Sequence, residues 1–333
     1  MATALVPLFL ISALVSLCFS WVLAITLERV GARLGLTEAL LGMLAAFAAN
    51  APEITAAVSA LTRHQSRIGA GVVIGSNVFN LAALLGLAAV LAGRIAMHRR
   101  VIELSGAVAL WLSAACLLVV VGTLSPSAGL LAAGAVMLPY VAVLGLGPER
   151  LARLRLPRSW SRWLTAAVRE GELELEVAIH PRRGGARDGA LAAVAVLMVV
   201  GASVAMERTA SELGTRHRVP EIVTGALTLA AVTSLPNAVA AVYLAARGRG
   251  AAVLSAALNS NAINVVAGLL LPATLVGLGA PSGQTTFVAA SYVGLTALAL
   301  VSAYVASGLR RASGGLVIGA YLCFVGVLLT AAA

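Results

Sequence analysis

Gly75-Ser-Asn-Val-Phe-Asn80 and Asn259-Ser-Asn-Ala-Ile-Asn264 lie 184 residues apart, and together they decide how this chain folds. At the same offset Pro52 falls on Pro236, and the alignment of the two halves needs no gap. Apolar residues align by chance in any hydrophobic protein, whereas matched Pro, Ser and Asn residues at one constant offset are much rarer. The sequence therefore predicts an internal structural repeat.

The composition places both copies of the repeat in a lipid bilayer. Of the 333 residues, 60% are apolar and 11% are charged, which leaves too little polar surface to cover a water-soluble domain. A membrane-spanning helix needs about 20 predominantly apolar residues. The first candidate span lacks the basic N-terminal region of a signal peptide, so we interpret it as a span. The ten segments that meet the length requirement are residues 4–27, 36–62, 68–93, 101–122, 126–146, 189–206, 221–246, 251–276, 285–307 and 313–332.

Each half of the chain contributes five spans, an odd number, so the second copy must enter the membrane in the opposite sense. We therefore predict an all-α polytopic membrane protein of ten transmembrane helices arranged as two inverted five-helix repeats. This construction is typical of secondary transporters, whose binding site lies near the bilayer midplane between the repeats. The predicted units are a first repeat at residues 1–146, a linker loop at 147–188 and a second repeat at 189–333. In the linker, Trp160 and Trp163 mark a segment that can lie at the membrane interface as an amphipathic helix.

The arginine residues predict the orientation of the chain. All 23 basic residues are Arg, and with 13 acidic residues they give a net charge of +10. Placing the linker in the cytoplasm leaves 18 Arg on that side and 5 on the other, as the positive-inside rule requires. Both termini of this inner (plasma) membrane protein are then extracytoplasmic. The Arg residues lie in short gaps between spans without interleaved aromatic residues, so anionic lipid headgroups are the expected partner and nucleic acid is not.

Oxygen-bearing side chains recur at helical spacing in the second, third, seventh and eighth spans. Residues three or four apart share one face of a helix, so each of these spans presents a row of oxygen atoms. Hard cations such as sodium and calcium prefer oxygen ligands. The residues that form these rows are Asn50, Glu53, Ser76, Asn80, Thr233, Ser234, Asn237, Ser260 and Asn264.

Glu53 is the strongest single candidate, because every other carboxylate is expected in a loop or near a span end. A charge near the bilayer centre costs at least about 2.5 kcal/mol, so it persists only where something compensates it. Pro52 and Pro236 each remove a helical hydrogen bond and free a backbone carbonyl that can line a polar cavity. The alternative interpretation is a protonated Glu53 that is hydrogen-bonded between helices. Asn77 and Asn261 lie on another face of their helices, and we expect them to hold those helices rather than the ion.

The sequence gives no sign of an enzyme or of a bound cofactor. The three cysteines lie singly in apolar runs, without a second Cys, a His or a carboxylate at ligand spacing, so neither a disulfide nor a zinc site is predicted. The spans also lack the Ser–His, paired-Asp and His–Glu arrangements that intramembrane catalysis would need. We expect a secondary transporter whose only ligands are the transported ions.

Four segments resemble the alpha repeats of the sodium/calcium exchangers, in the cation/calcium antiporter superfamily. Ala46-Phe-Ala-Ala-Asn-Ala-Pro-Glu53 and Gly75-Ser-Asn-Val-Phe-Asn80 resemble the first repeat, and Thr233-Ser-Leu-Pro-Asn237 and Asn259-Ser-Asn-Ala-Ile-Asn264 resemble the second. The resemblance implies that the nine oxygen-bearing residues named above form the ion site. It also implies alternating access, in which the first and sixth helices slide across the core.

Three positions depart from the family pattern. Asn237 replaces the acidic residue that usually follows the proline in the second repeat, Asn264 replaces an acid that some members carry, and Ala49-Asn50 replaces a Thr-Ser pair. Only Glu53 then faces the ion with a formal negative charge. Two unit charges about 4 Å apart interact by about 4 kcal/mol at an effective dielectric constant of 20, so missing carboxylates should lower calcium affinity more than sodium affinity.

The sequence leaves three functions open. The alpha motifs, at residues 41–87 and 225–271, favour antiport of calcium against sodium or protons. The single carboxylate favours exchange of a monovalent cation such as sodium for a proton. The missing second acid also allows a degenerate protein that transports nothing and serves as a membrane scaffold or sensor.

Overall fold

The computed structural model describes residues 4–153, 157–176, 184–247 and 250–331. These residues are mostly helical, as the apolar composition predicts. The α-helices are α1 (Leu5–Arg33), α2 (Glu38–Ala49), α3 (Ala51–Thr62), α4 (Ser66–Asn80), α5 (Ala88–Ala92), α6 (Arg99–Val120), α7 (Pro126–Leu151), α8 (Arg158–Glu176), α9 (Ala186–Arg216), α10 (Glu221–Val223), α11 (Ala230–Ala246), α12 (Gly250–Ile263), α13 (Leu271–Val276), α14 (Gly283–Ala306) and α15 (Arg311–Thr330). Three π-helical segments join α4 to α5, α10 to α11 and α12 to α13, at Leu81–Leu87, Thr224–Leu229 and Asn264–Leu270.

Ten membrane spans can be traced through the described part of the chain. Eight are continuous apolar helices, and two are pairs of helices bent at a short break. α2 and α3 form the second span with a bend of 52°, and the seventh span bends by 51° between Glu221–Leu235 and Asn237–Ala246. The predicted class, a helical membrane protein with two inverted five-helix repeats, is confirmed.

The break in the second span follows from its sequence. α2 begins at a cap in which Thr37 Oγ1 accepts a hydrogen bond of 3.3 Å from the Leu40 amide. The helix ends where Asn50 adopts φ −88° and ψ 0°. Pro52 lies in the first turn of α3, where a backbone N–H would have no helical partner, so it starts a new helix instead of disrupting one. Glu53 is consequently held in the first turn of α3.

Two of the π-helical segments begin within one residue of repeat-equivalent places. Leu81–Leu87 follows Asn80 directly, and Asn264–Leu270 starts at the matched asparagine, Asn264. A π-helical turn widens the helix locally and is often found at functional sites. The widened turns therefore adjoin the two asparagines that the sequence predicts as ion ligands.

The third and eighth spans form the centre of the molecule. In their apolar stretches 89% and 78% of the residues are buried, compared with 33% in α1 and 28% in α9. Gly71 lets the third span approach the seventh closely, since an added Cβ would lie 3.0 Å from the Ala226 nitrogen. α1 and α9 lie side by side at the periphery, where the hydroxyl groups of Ser16 and Ser203 are hydrogen-bonded at 2.7 Å.

The linker contains a helix where the two tryptophans predicted one. α8 packs against α6 and α7, and its Ala167 and Val168 are buried while Trp160 is exposed. Trp163 Nε1 donates a hydrogen bond of 3.0 Å to Glu103 Oε2 on α6. The amphipathic helix predicted around Trp160 and Trp163 is thus confirmed.

A short antiparallel pair of strands was not predicted. β1 (Arg94–Ala96) follows the third span, β2 (Gly308–Arg310) precedes the tenth, and Ile95 lies opposite Leu309. Three residues are too few to show the alternation of apolar and polar residues by which a strand is recognised in a sequence. Gly308 adopts φ 128°, a backbone conformation that a residue with a side chain rarely takes.

Candidate cation site

The nine predicted site residues lie in the second, third, seventh and eighth spans. Eight of them are buried with exposed fractions of 0–2%, and Asn237 is partly buried. Hydrogen bonds between the repeats connect Asn50 with Asn237 and Ser260, and they connect Glu53 with Ser234. Five of the nine predicted residues are therefore joined across the contact between the two repeats.

Asn50 connects three spans at the break between α2 and α3. Its Nδ2 donates a hydrogen bond of 3.1 Å to the Ser260 carbonyl, and its Oδ1 accepts one of 2.9 Å from Ser260 Oγ. The same Oδ1 also accepts a hydrogen bond of 3.0 Å from Asn237 Nδ2, so the Asn50 side chain makes three hydrogen bonds in all. Asn50 thus fastens the broken second span to the seventh and eighth spans.

Glu53 has one engaged oxygen and one bare oxygen. Ser234 Oγ donates a hydrogen bond of 3.1 Å to Glu53 Oε1. Glu53 Oε2 is buried and has no hydrogen-bond partner among the described residues. Its place in the first turn of α3 also exposes the carboxylate to the positive end of the helix dipole, which stabilises negative charge.

Ser76 and Thr233 bond back to their own helices. Ser76 Oγ donates to the Val72 carbonyl, and Thr233 Oγ1 donates to the Leu229 carbonyl at 2.9 Å. A hydroxyl group that donates its proton in this way keeps its lone pairs free to accept. Both hydroxyl oxygens can therefore serve as ligands without breaking these bonds.

Asn80 and Asn264 are held by their nitrogens. Asn80 Nδ2 donates to Asn261 Oδ1 at 3.1 Å, and Asn264 Nδ2 donates to Asn77 Oδ1 at 3.2 Å. The Oδ1 atoms of Asn80 and Asn264 are buried and have no partner in the described part of the chain. Together with Glu53 Oε2, they make three bare acceptor oxygens contributed by both repeats.

The donor set suits a hard cation. The nine residues offer amide and hydroxyl oxygens and a single carboxylate, and sodium and calcium prefer such oxygen ligands. Within the described ranges, no group of three or more His, Cys, Asp and Glu residues could hold a metal ion.

Glu207 is a second buried carboxylate, and the sequence analysis did not predict its burial. The predicted sixth span ended at residue 206, but α9 continues beyond it and Glu207 is 0% exposed. Its Oε2 accepts a hydrogen bond of 2.9 Å from Ser59 Oγ, and its Oε1 forms an ion pair with Arg63. Glu207 follows the predicted span end and lies beside Arg63 at the end of α3, so its place near a span end agrees with the expectation, whereas its burial and its ion pair were not predicted. Since Arg63 neutralises Glu207, this second carboxylate adds no unbalanced charge.

Sequence comparison places this chain in a known family. The family model described as sodium/calcium exchanger protein matches residues 4–146 and 189–330, which together make up most of the chain. The chain belongs to the sodium/calcium exchanger family. The resemblance of its alpha motifs is thereby confirmed. One relative, inner membrane protein YrbG of Escherichia coli (strain K12), is 26% identical over 243 residues, which cover 72% of this chain and 70% of the relative.

Solved structures share the fold of this family member. The crystal structure of the H+/Ca2+ exchanger CAX matches with a TM-score of 0.69 at 13% identity, covering 98% of this chain and 86% of that one. A structure of the sodium-calcium exchanger NCX_Mj, soaked with Na+ and Sr2+, matches with a TM-score of 0.61 at 20% identity, covering 98% and 99%. Both matches extend over nearly the whole chain, so they support the ten-helix architecture.

Proposed function

We propose that this exchanger-family protein is a secondary active antiporter that exchanges calcium for sodium or protons at the site around Glu53. Two proteins of the same fold are an H+/Ca2+ exchanger and a sodium-calcium exchanger. Inverted repeats support alternating access, because the two halves can exchange conformations around a central site. In the proposed cycle α1 and α9 move across the core while the site residues stay in place.

The three bare oxygens carry this proposal. Glu53 Oε2, Asn80 Oδ1 and Asn264 Oδ1 are buried acceptors without a hydrogen-bond partner in the described residues. Each buried polar atom that lacks a partner costs roughly 1–3 kcal/mol. A bound cation would contact such oxygens and remove that cost. One of the three oxygens belongs to a carboxylate and two belong to neutral amides. A cation bound by them therefore faces a single negative charge, which suits an ion that is bound and released in each cycle.

The single carboxylate favours a second candidate, the exchange of a monovalent cation for a proton. Asn237 directs its amide nitrogen at Asn50 Oδ1, at the position where the family pattern has an acid. Glu53 then carries the one formal negative charge among the nine residues, and one sodium ion or one proton balances it. The two candidates share the site and the architecture and differ in substrate.

The membrane placement belongs to the proposal as well. We place the protein in the inner (plasma) membrane, where YrbG is named as an inner membrane protein. The linker at residues 147–188 would face the cytoplasm next to anionic headgroups, and both termini would face outward. The repeats at residues 1–146 and 189–333 then enter the membrane in opposite senses.

Tracer flux into proteoliposomes tests the proposed function. Radioactive calcium is supplied outside, with either sodium or acid trapped inside, and protein-free liposomes are the blank. We expect calcium uptake that requires one of these gradients, and that gradient identifies the coupling ion. Sodium uptake driven by the pH gradient without calcium uptake would select the monovalent candidate. Absence of both fluxes in folded protein would contradict antiport and leave a scaffold or sensor.

A further inference from the structure

Asn77 and Asn261 form a reciprocal clasp between the repeats, next to the nine predicted ligands. Both are buried, with exposed fractions of 0% and 1%. Asn77 Nδ2 donates to the Asn261 carbonyl at 3.1 Å, and Asn261 Nδ2 donates to the Asn77 carbonyl at 3.1 Å. The two side chains therefore bridge the third and eighth spans at their pseudo-equivalent positions.

This clasp fixes which way each of its amides faces. A backbone carbonyl can only accept a hydrogen bond, so the NH2 group of each side chain must face it. The side-chain oxygen of each then points elsewhere and must accept. Asn261 Oδ1 accepts from Asn80 Nδ2 at 3.1 Å, and Asn77 Oδ1 accepts from Asn264 Nδ2 at 3.2 Å.

The orientation of the clasp amides in turn determines the orientation of the two ligand amides, Asn80 and Asn264. Because Asn80 Nδ2 is bound to Asn261 Oδ1, Asn80 Oδ1 is turned away from that contact, and it is one of the bare buried oxygens. Likewise, Asn264 Nδ2 is bound to Asn77 Oδ1, so Asn264 Oδ1 is turned away from that contact and is another of the bare buried oxygens. If either ligand amide were flipped, two oxygens would meet at the clasp and an NH2 group would face the cation. An NH2 group donates hydrogen bonds and cannot coordinate a cation.

We propose that Asn77 and Asn261 are positioning residues that orient the Asn80 and Asn264 amides so that both present oxygen to the transported cation. Each ligand amide is oriented by an asparagine of the opposite repeat. Each of those asparagines is in turn oriented by a backbone carbonyl, which can only accept a hydrogen bond. The inference rests on the proposed function, because it requires a cation at this site.

A double-mutant cycle separates orientation from packing. Asn261→Ala removes the acceptor that orients Asn80, whereas Asn80→Asp places an oxygen at either end of the ligand side chain, so its orientation no longer matters. We expect Asn261→Ala to weaken cation binding about tenfold or more when residue 80 is Asn. In the Asn80→Asp background we expect no loss, because a carboxylate at residue 80 would meet the Asn261 oxygen and Asn261→Ala removes that contact. The measurement is calorimetric titration of the purified full-length chain with CaCl2 and with NaCl.

The other repeat supplies a second, independent cycle. Asn77→Ala combined with Asn264→Asp should give the same pattern, since the two halves are pseudo-equivalent. Asn261→Ser keeps an oxygen that can accept from Asn80, and it should bind cations more tightly than Asn261→Ala does. These variants keep the inference testable if Asn261→Ala fails to fold.

Asn259→Ala is the matched control. Asn259 is also a buried amide on α12, but its partners are Tyr140, at 3.1 Å, and Ser255, at 3.0 Å. We expect this variant to bind cations within about threefold of wild type. Equal losses from Asn261→Ala in both backgrounds would show a packing role and overturn the positioning inference, while the proposed function would stand. Wild-type protein that binds neither salt would overturn the proposed function and this inference with it.

Discussion

Two buried carboxylates, Glu53 and Glu207, differ in whether their charge is available to a cation. Both oxygens of Glu207 are engaged, one by Ser59 and the other by the guanidinium group of Arg63. Glu53 has only the Ser234 hydroxyl on one oxygen, and its other oxygen is bare. A transported cation can therefore bind Glu53 without displacing a protein cation, whereas at Glu207 it would have to displace Arg63.

Asn237→Glu should shift the ion preference toward calcium. The substitution puts a second negative charge beside Asn50, and a divalent ion gains about twice as much as a monovalent ion from each added charge. The extra gain of the divalent ion is roughly 4 kcal/mol at a separation of about 4 Å and an effective dielectric constant of 20. Since 1.4 kcal/mol corresponds to a tenfold change in affinity, we expect the ratio of calcium to sodium affinity to rise by about tenfold or more. Competition of the two ions for binding measures the ratio.

Asn237→Gln serves as the control for this change, because it lengthens the side chain by the same amount without adding charge. If Asn237→Glu and Asn237→Gln had the same ion preference, residue 237 would not face the ion, and the alignment of the repeats at this position would be wrong.

Helical spacing was enough to predict which residues share one face of each span, because residues three or four apart share a face in any helix. It could not predict the direction of each amide. The orientations of Asn80 and Asn264 depend on Asn261 and Asn77 in the opposite repeat, which are 181 and 187 residues away in sequence. Whether these residues bind an ion stays a prediction.

At the scale of helices, the ion pair between Arg63 and Glu207 ties α9 to the end of α3. The pseudo-equivalent Arg247 makes a different contact, since its guanidinium group lies 4.2 Å above the ring of Tyr243. The inverted repeats are therefore not equivalent where the peripheral helices meet the core. If α9 moves relative to α3 during transport, this ion pair must break and form again in each cycle.

Arg63→Ala should destabilise the protein more than the double variant Arg63→Ala/Glu207→Gln. Removing Arg63 alone leaves a buried carboxylate without its counter-ion, which costs about 3 kcal/mol, while the double variant leaves a neutral amide that Ser59 can still bond. Thermal unfolding in detergent micelles measures the difference. A double variant that is no more stable than Arg63→Ala would mean that the carboxylate left without its counter-ion carries no cost, and it would contradict this prediction.

The hydropathy pattern predicted the existence of all ten spans but not every end. The sixth span was cut short because a charged residue normally marks the edge of an apolar run, and nothing near Glu207 in the sequence reveals Arg63, 144 residues earlier. The β1–β2 pair was missed for a similar reason, since its register joins residues from different repeats. Long-range pairing decides both features.

On the scale of the whole molecule, the inverted architecture fixes how the two halves relate but not which side faces the cytoplasm. That assignment rests on the 18 Arg residues that would lie on one side and the 5 on the other. The linker helix α8 lies at one end of the protein, and the loop after α9 must lie at the other because one span separates them.

Ser159→Cys and Thr215→Cys test the orientation in a background without the three native cysteines. Both positions are exposed, one on α8 and the other near the end of α9. We expect a membrane-impermeant maleimide to label Thr215→Cys in intact spheroplasts, and Ser159→Cys only after the membrane is opened. The reverse labelling pattern would show that the linker faces outward.

The most direct test of a single cation site shared by the repeats is the exchange rate of Glu53→Gln in proteoliposomes. Glu212→Gln is the matched control, because it removes one carboxylate charge from an exposed position that is ion-paired with Arg216. We predict that Glu53→Gln folds and inserts but exchanges at less than about a tenth of the wild-type rate, a loss of at least about 1.4 kcal/mol, while Glu212→Gln stays within about twofold. Wild-type exchange by well-folded Glu53→Gln would contradict the proposed site.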